Sequence, residues 1–367
     1  MALAGFLNRS TAMQSNTAFK NTNMDPYKKI RAYRNGWLLA ITDWFTILPV
    51  LKIYKWKTTK SVRLSYLGDR RQIEQDIRHG AFFMTNHRDI CMDSAWLSML
   101  LRERYFIRPY IGIGNNLFGK WWIEPLVRYL RCFVVIRNGS MHQQLENAKV
   151  LSHYINDLRN HHKSIWLAQR EGRAKDGNDR TQPAVIKMLT IDAPDFFEAI
   201  IRLNICPVSI SYEFDPCDFL KAQEMQQKRD IPHWHKSKAD DIRSMATGIN
   251  GQKGRVVYRL TPSINHELEQ ALREHPQLRE LNRNEQIQYV CDLIDRHIHL
   301  GYELFDRGTD FDQYIQSRVD LVNIEGKDED FLRDKIREMY DNPRKNALAA
   351  RQATNGNTYP DNTTTTK

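Results

Sequence analysis

Between residues 81 and 260 the chain alternates short apolar runs with stretches of helical length. Residues 81–86 (AFFMTN), 106–113, 132–137 (CFVVIR), 164–169 (SIWLAQ), 204–213 (NICPVSISYE) and 255–260 (RVVYRL) read as strands. Residues 90–104, 119–130 (with Trp121 and Trp122), 141–160, 182–191 and 195–202 read as helices, the last two opened by Pro183 and Pro194. Few folds accept that order. Strand and helix in alternation predict an α/β fold with a central, mostly parallel sheet flanked by helices.

The flanks of this region differ from it. Residues 1–25 are polar and residues 351–367 form a low-complexity tail, so both are expected to be disordered. Residues 37–51 (WLLAITDWFTILPVL) are the most apolar stretch. A bilayer span needs about 20 apolar residues, and this stretch is shorter and interrupted by Asp43 and Pro49. Trp37, Trp44 and Phe45, followed by Lys52, Lys55, Trp56 and Lys57, suit an amphipathic element in a membrane interface or a helix packed on the core. The helical, charged pattern from 263 to 350 predicts a helical extension whose charges form a solvated face. The expected layout is therefore 1–25 disordered, 26–60 amphipathic, 61–262 the α/β domain, 263–350 the extension and 351–367 a disordered tail.

Charge and cysteine usage narrow the partners. Lys and Arg number 54 against 44 Asp and Glu, a net charge of +10. Such a balance favours nucleic acid, an anionic membrane surface or a phosphorylated substrate. Acids are mixed with the basic residues throughout, which argues against a nucleic-acid face. Cys91, Cys132, Cys206, Cys217 and Cys291 are scattered and odd in number. They fit a reducing compartment and offer neither a disulfide framework nor a zinc spacing. The N-terminus lacks the charged-then-apolar order of a signal peptide. His233, His235, His297 and His299 sit in pairs whose spacing splays two rings on a helix, so they read as surface histidines and no metal site is expected. There is no GxSxG for a serine hydrolase, and Gly112, Gly114 and Gly119 fit a dinucleotide loop poorly.

Sites in α/β folds lie where strands end and loops begin. Three such junctions carry reactive side chains. The first holds Asn86, His87, Arg88, Asp89 and Asp93. His87 can act as a general base if a carboxylate orients it. On one continuous helix the six-residue offset would keep His87 and Asp93 apart, so they meet only if His87 ends the strand or loop and Asp93 lies in the first helical turns. Asp89 is the rival partner and also a good helix N-cap. The second junction holds Arg137, suited to a phosphate, and the third is 170–180, with Glu171, Gly172, Arg173 and Lys175.

Together these segments resemble the glycerolipid acyltransferases of the lysophosphatidate acyltransferase type. The four blocks of that family, in order, match NHRDICMD (86–93), FVVIRNGS (133–140), WLAQREGRAKDG (166–177) and ICPVSISYE (205–213), and DPYKKIRAY (25–33) is reminiscent of the leader of some bacterial members. Five residues separate His87 from Asp93 where the family usually has four, and Arg173 stands where it usually has Thr. The resemblance implies an acyltransferase of phospholipid biosynthesis, peripheral on the cytoplasmic face of a membrane. Acyl-CoA or an acyl-carrier protein would be the donor, a lysophospholipid or similar lipid the acceptor, and no cofactor or metal is implied. His87 would be the base and Asp93 or Asp89 its partner. Asn86, Arg88, Arg137, Glu171, Gly172, Arg173 and Lys175 would bind substrate, with Lys187 a weaker candidate and Pro207 shaping the channel. A thioesterase or other hydrolase using water with the same His-Asp pair, or a non-enzymatic basic protein that binds a membrane or nucleic acid, stays open as an alternative.

Overall fold

The computed structural model describes residues 25, 27–33, 41–115 and 123–354. The expectations for 1–24, for Trp37, Gly119, Trp121 and Trp122, and for 355–367 lie outside these residues. Seven strands form one sheet: β1 Ser61–Tyr66, β2 Phe82–Thr85, β3 Tyr110–Gly114, β4 Cys132–Val135, β5 Ile165–Ala168, β6 Ile205–Tyr212 and β7 Arg255–Leu260. Their spatial order is β1-β7-β6-β2-β5-β3-β4. All neighbouring pairs are parallel except β6 with β7. The fold is therefore α/β with a mostly parallel sheet, as the alternation requires.

Thirteen α-helices are present among the described residues. In chain order they are α1 Leu48–Thr58, α2 Arg70–Arg78, α3 Met92–Tyr105, α4 Ile123–Tyr129, α5 Met141–Asn160, α6 Pro183–Leu189, α7 Phe196–Leu203, α8 Asp218–Asp230, α9 Lys238–Asn250, α10 Asn265–Glu274, α11 Arg283–Leu300, α12 Phe311–Asp320 and α13 Glu329–Thr354. Local sequence sets several of their starts. Ser140, Ser237 and Asn282 form capping boxes with Gln143, Asp240 and Glu285, tying up backbone N–H groups that the first turn leaves unpaired. Asp69 and Asp195 cap α2 and α7 in the same way with their carboxylates.

The central strands are buried on both faces, as a parallel sheet covered by helices requires. All eight residues of β6 and all four of β2 are buried. Alternation along β2 divides the core. Phe82 and Met84 pack with Leu151, Ile155, Phe197 and Ile294 on one face, while Phe83 packs with Trp96, Leu97 and Tyr258 on the other. The leader also has a place: Val134 N–H donates to the Ile30 carbonyl at 2.9 Å, which covers the free edge of β4.

Four elements escape the sequence pattern. β1 carries Arg63 and Ser65 and is an edge strand, so it has no apolar run. α2 buries little apolar surface beyond Ile73 and Ile77, and α8 and α9 are mostly polar. The expected helical extension at 263–350 is not separate. Ile287, Val290, Ile294 and Ile298 of α11 share one core with β2, and Ser209 Oγ of β6 donates to the Ile298 carbonyl at 2.5 Å. The helix α13 continues to Thr354, into the stretch expected to be disordered. His297 and His299 are buried rather than on the surface, because their helix is a core helix: His297 pairs with Glu267 at 3.0 Å and His299 Nε2 meets the Asp179 carbonyl at 2.8 Å.

Candidate active site

β2, β3, β4, β5 and β6 run the same way, so their C-terminal ends open on one edge of the sheet. A cleft of about 500 Å³ lies there. His87, two residues past β2, lines it. Its Nδ1 is 2.9 Å from Asp93 Oδ2. The geometry meets the condition set by the sequence: His87 lies in the loop and Asp93 in the first turn of α3. The same carboxylate oxygen also accepts the backbone N–H groups of Arg88 at 2.6 Å and Asp89 at 2.9 Å. Asp93 is wholly buried, and these donors replace the water it has lost. An ionised carboxylate only accepts, so Nδ1 carries the proton and Nε2 presents its lone pair.

Asp89 does not touch His87. Its Oδ1 accepts from the N–H groups of Cys91 at 2.9 Å and Met92 at 2.8 Å, the helix-starting role foreseen as its alternative. Burial, reinforced by the charge of Asp93, pushes the Asp89 carboxyl above the ordinary carboxylate range. Its Oδ2 lies against Gly248 of α9, where any side chain would run into the carboxylate.

Two residues expected to bind substrate are committed elsewhere. The Asn86 side chain exchanges hydrogen bonds with the backbone of Ile210, donating at 3.0 Å and accepting at 2.7 Å, and so ties β2 to β6 beneath the loop. Arg88 points away from the cleft into a buried pair with Asp179 at 2.9 Å. Burial works most strongly to discharge that guanidinium, but the charges of Asp179, Tyr302, Asp215 and Asp93 together outweigh it and hold Arg88 above its ordinary value. Tyr302 donates to the same Asp179 oxygen at 2.8 Å. These two residues are structural because the strand end and the loop would otherwise leave polar groups unpaired in the core.

The remaining predicted residues do converge. Arg137, Glu171, Gly172, Arg173 and Lys175 line the same cleft as His87. Gly172 has φ +68°, a conformation glycine adopts without strain, and open space lies where its side chain would be. Much of the basic charge is already matched: Arg137 with Glu171 at 3.0 Å, Lys236 with Asp241 at 2.7 Å, and Lys175 with Glu224. Burial lowers the Lys175 ammonium to about 8. Among the described residues Arg170 and Arg173 make no ion pair with a carboxylate, and Arg170 Nε and Arg173 Nη1 are buried without a hydrogen-bond partner. Nearby Cys217, Asp215 and Asp89 still outweigh the burial that would discharge Arg173. Lys187 is exposed on α6, away from the lining, and Pro207 pairs with Met84 inside the sheet rather than facing the cleft, so neither fills its expected place.

Sequence reasoning missed part of the lining. Arg170, at the start of the third junction, lines the cleft beside the residues that the resemblance assigns to substrate. Glu224 comes from α8, Lys236 from the approach to α9 and Asp241 from α9, all far along the chain and without a local pattern. The lining also includes apolar groups: Val135, Ile136, Leu151, Trp166, Val185 and Met188. In sequence these are indistinguishable from core residues. Among the described residues no group of three or more His, Cys, Asp or Glu is placed to hold a metal ion. No model of a known protein family matches the chain, and a comparison with curated proteins finds no significant relative.

Proposed function

We propose that the chain moves an acyl group from a thioester, of coenzyme A or a carrier protein, to a hydroxyl of a glycerolipid or lysophospholipid. The observation that carries this reading is a His87–Asp93 pair in a cleft lined by both apolar and basic side chains. The apolar side chains accommodate an acyl chain. Arg170 and Arg173 offer uncommitted donors to an anionic headgroup.

The acceptor hydroxyl is a poor nucleophile near neutral pH. His87 Nε2 removes its proton as the oxygen attacks the thioester carbonyl. Asp93 holds the tautomer in which Nδ1 carries the proton and Nε2 the lone pair, and stabilises the imidazolium that forms. The tetrahedral intermediate collapses with loss of the carbon–sulfur bond. The departing thiolate then takes the proton from His87, leaving an ester, a free thiol and the enzyme unchanged. No covalent intermediate on the protein is required.

The surface of α1 and of the residues just before it supports a membrane-bound acceptor. Phe45 and Trp56 are 78% and 85% exposed, Ile41, Val50 and Ile53 are exposed too, and Lys52, Lys55 and Lys57 lie among them. Apolar residues interleaved with lysines fit the interface of an anionic bilayer. No helix among the described residues is long and apolar enough to cross a membrane, so the proposed location is the membrane surface on the cytoplasmic side.

The test is thiol release from a long-chain acyl-CoA by the purified protein, with and without a lysophospholipid panel, beside His87→Ala. Release that needs a lysophospholipid and vanishes in the variant supports transfer. Release without any acceptor points to the thioesterase. No release from acyl-CoA or from acyl-carrier protein would overturn the reading.

A further inference from the structure

Behind the His87–Asp93 pair the structure holds a group that the sequence blocks do not single out. Asp93 Oδ2 is occupied by the His87 ring and two backbone N–H groups. Its other oxygen, Oδ1, accepts one hydrogen bond, from the Tyr212 hydroxyl at 2.9 Å. Tyr212 is the last residue of β6. Its ring packs against Trp96 of α3, with centroids 6.2 Å apart, which fixes the direction of the hydroxyl. Tyr258 of β7 stands beside it and donates to the backbone carbonyls of Met92 and Asp93, at 3.2 and 3.0 Å. The other charged groups facing Asp93 are Asp89 and Arg88 from its own loop and Lys253 from the approach to β7.

We infer that Tyr212 is a positioning residue for the proposed base, acting through Asp93; this rests on the acyl-transfer reading only for its effect on rate. The hydroxyl does two things. It locks the carboxylate plane so that Oδ2 faces Nδ1 of His87. It also shares the negative charge of Asp93, which tempers the pull of Asp93 on the His87 proton. Buried hydrogen bonds to a charged group are strong because no water competes. Tyr258 donates to the α3 backbone and not to the carboxylate, although it also neighbours the Tyr212 hydroxyl, so Tyr258→Phe reports the loss of a nearby buried hydroxyl without loss of the bond to Asp93.

Tyr212→Phe removes one oxygen and keeps the ring contact with Trp96. The measurement is the titration of the His87 ring by NMR in the wild type, Tyr212→Phe and Tyr258→Phe, which needs no substrate. With Tyr212 silenced, the charge of Asp93 concentrates toward the imidazole. The His87 titration midpoint should then move up by roughly half a pH unit, while Tyr258→Phe leaves it in place. Alongside, acceptor-dependent turnover in Tyr212→Phe should fall about tenfold at unchanged KM, with the acid limb of its pH profile shifted the same way. An unmoved midpoint in Tyr212→Phe, or an equal shift in Tyr258→Phe, overturns the inference. A wild type that transfers no acyl group overturns the reading of function instead, and the titration still decides the role of Tyr212.

Discussion

The His87–Asp93 pair and the 170–175 loop of the cleft are built on opposite plans. In the pair the Asp93 carboxylate has four donors and the His87 ring one fixed partner. In the loop Arg170 and Arg173 keep buried nitrogens without partners. A proton-transfer group works only if its geometry is set before substrate arrives, so its hydrogen bonds must be complete. A recognition group works by completing its hydrogen bonds with the ligand, so it must start with some unmade. The difference separates where this chain does chemistry from where it recognises a molecule.

Four substitutions test that separation, from the largest expected effect downward. His87→Ala should lower acceptor-dependent thiol release by about a thousandfold with little loss of thermal stability, since the ring borders the cleft; steady-state kinetics beside a melting curve checks both. Arg88→Met should do the reverse. It strands the Asp179 carboxylate in the core and should cost about 3 kcal/mol or more in chemical denaturation. A stable Arg88→Met with a raised KM for the acceptor would instead return Arg88 to the binding site. Arg173→Gln should raise the KM for a lysophospholipid bearing a phosphate monoester about tenfold and leave turnover nearly unchanged. Equal losses for charged and uncharged acceptors would show that the loop does not read charge.

The smallest effect concerns Asp295, which holds the 170–181 loop by accepting from the Thr181 N–H at 2.7 Å and the Thr181 hydroxyl at 2.6 Å. Burial raises this carboxyl from 3.8 to about 6. The folded protein then binds a proton that the unfolded chain releases, so the contribution is complete below about pH 4 and fades as pH rises through 6. At about 1.4 kcal/mol per unit the span is a few kcal/mol at most. Asp295→Asn keeps one oxygen for Thr181 and should flatten the stability curve between pH 4 and 6. An unchanged slope would place the raised carboxyl elsewhere.

What could be read in advance follows from how local each signal is. The strands β2, β4, β5, β6 and β7 are apolar runs in a polar chain, and α5 has a capping box at its start, so a short window shows them. His87 and the two candidate aspartates were visible as a polar cluster after a strand. Arg137 and the loop with Glu171, Gly172 and Arg173 were visible for the same reason. β1 and α9 were not, because an edge strand and a polar helix are patterned by neighbours that lie far away in sequence. Arg88 misled because a buried arginine and a substrate-binding one look alike until Asp179, 91 residues on, is placed beside it.

By itself, then, the sequence determined the α/β class, the mostly parallel sheet and the strand ends where polar side chains gather, since all of these follow from local periodicity and from the common direction of parallel strands. The choice of Asp93 over Asp89, the burial of His297 and His299, the support of Asp93 by Tyr212 and the joining of residues 263–354 to the core were decided only in three dimensions. Each depends on which groups water can no longer reach, and burial is a property of the packed chain rather than of any stretch of it.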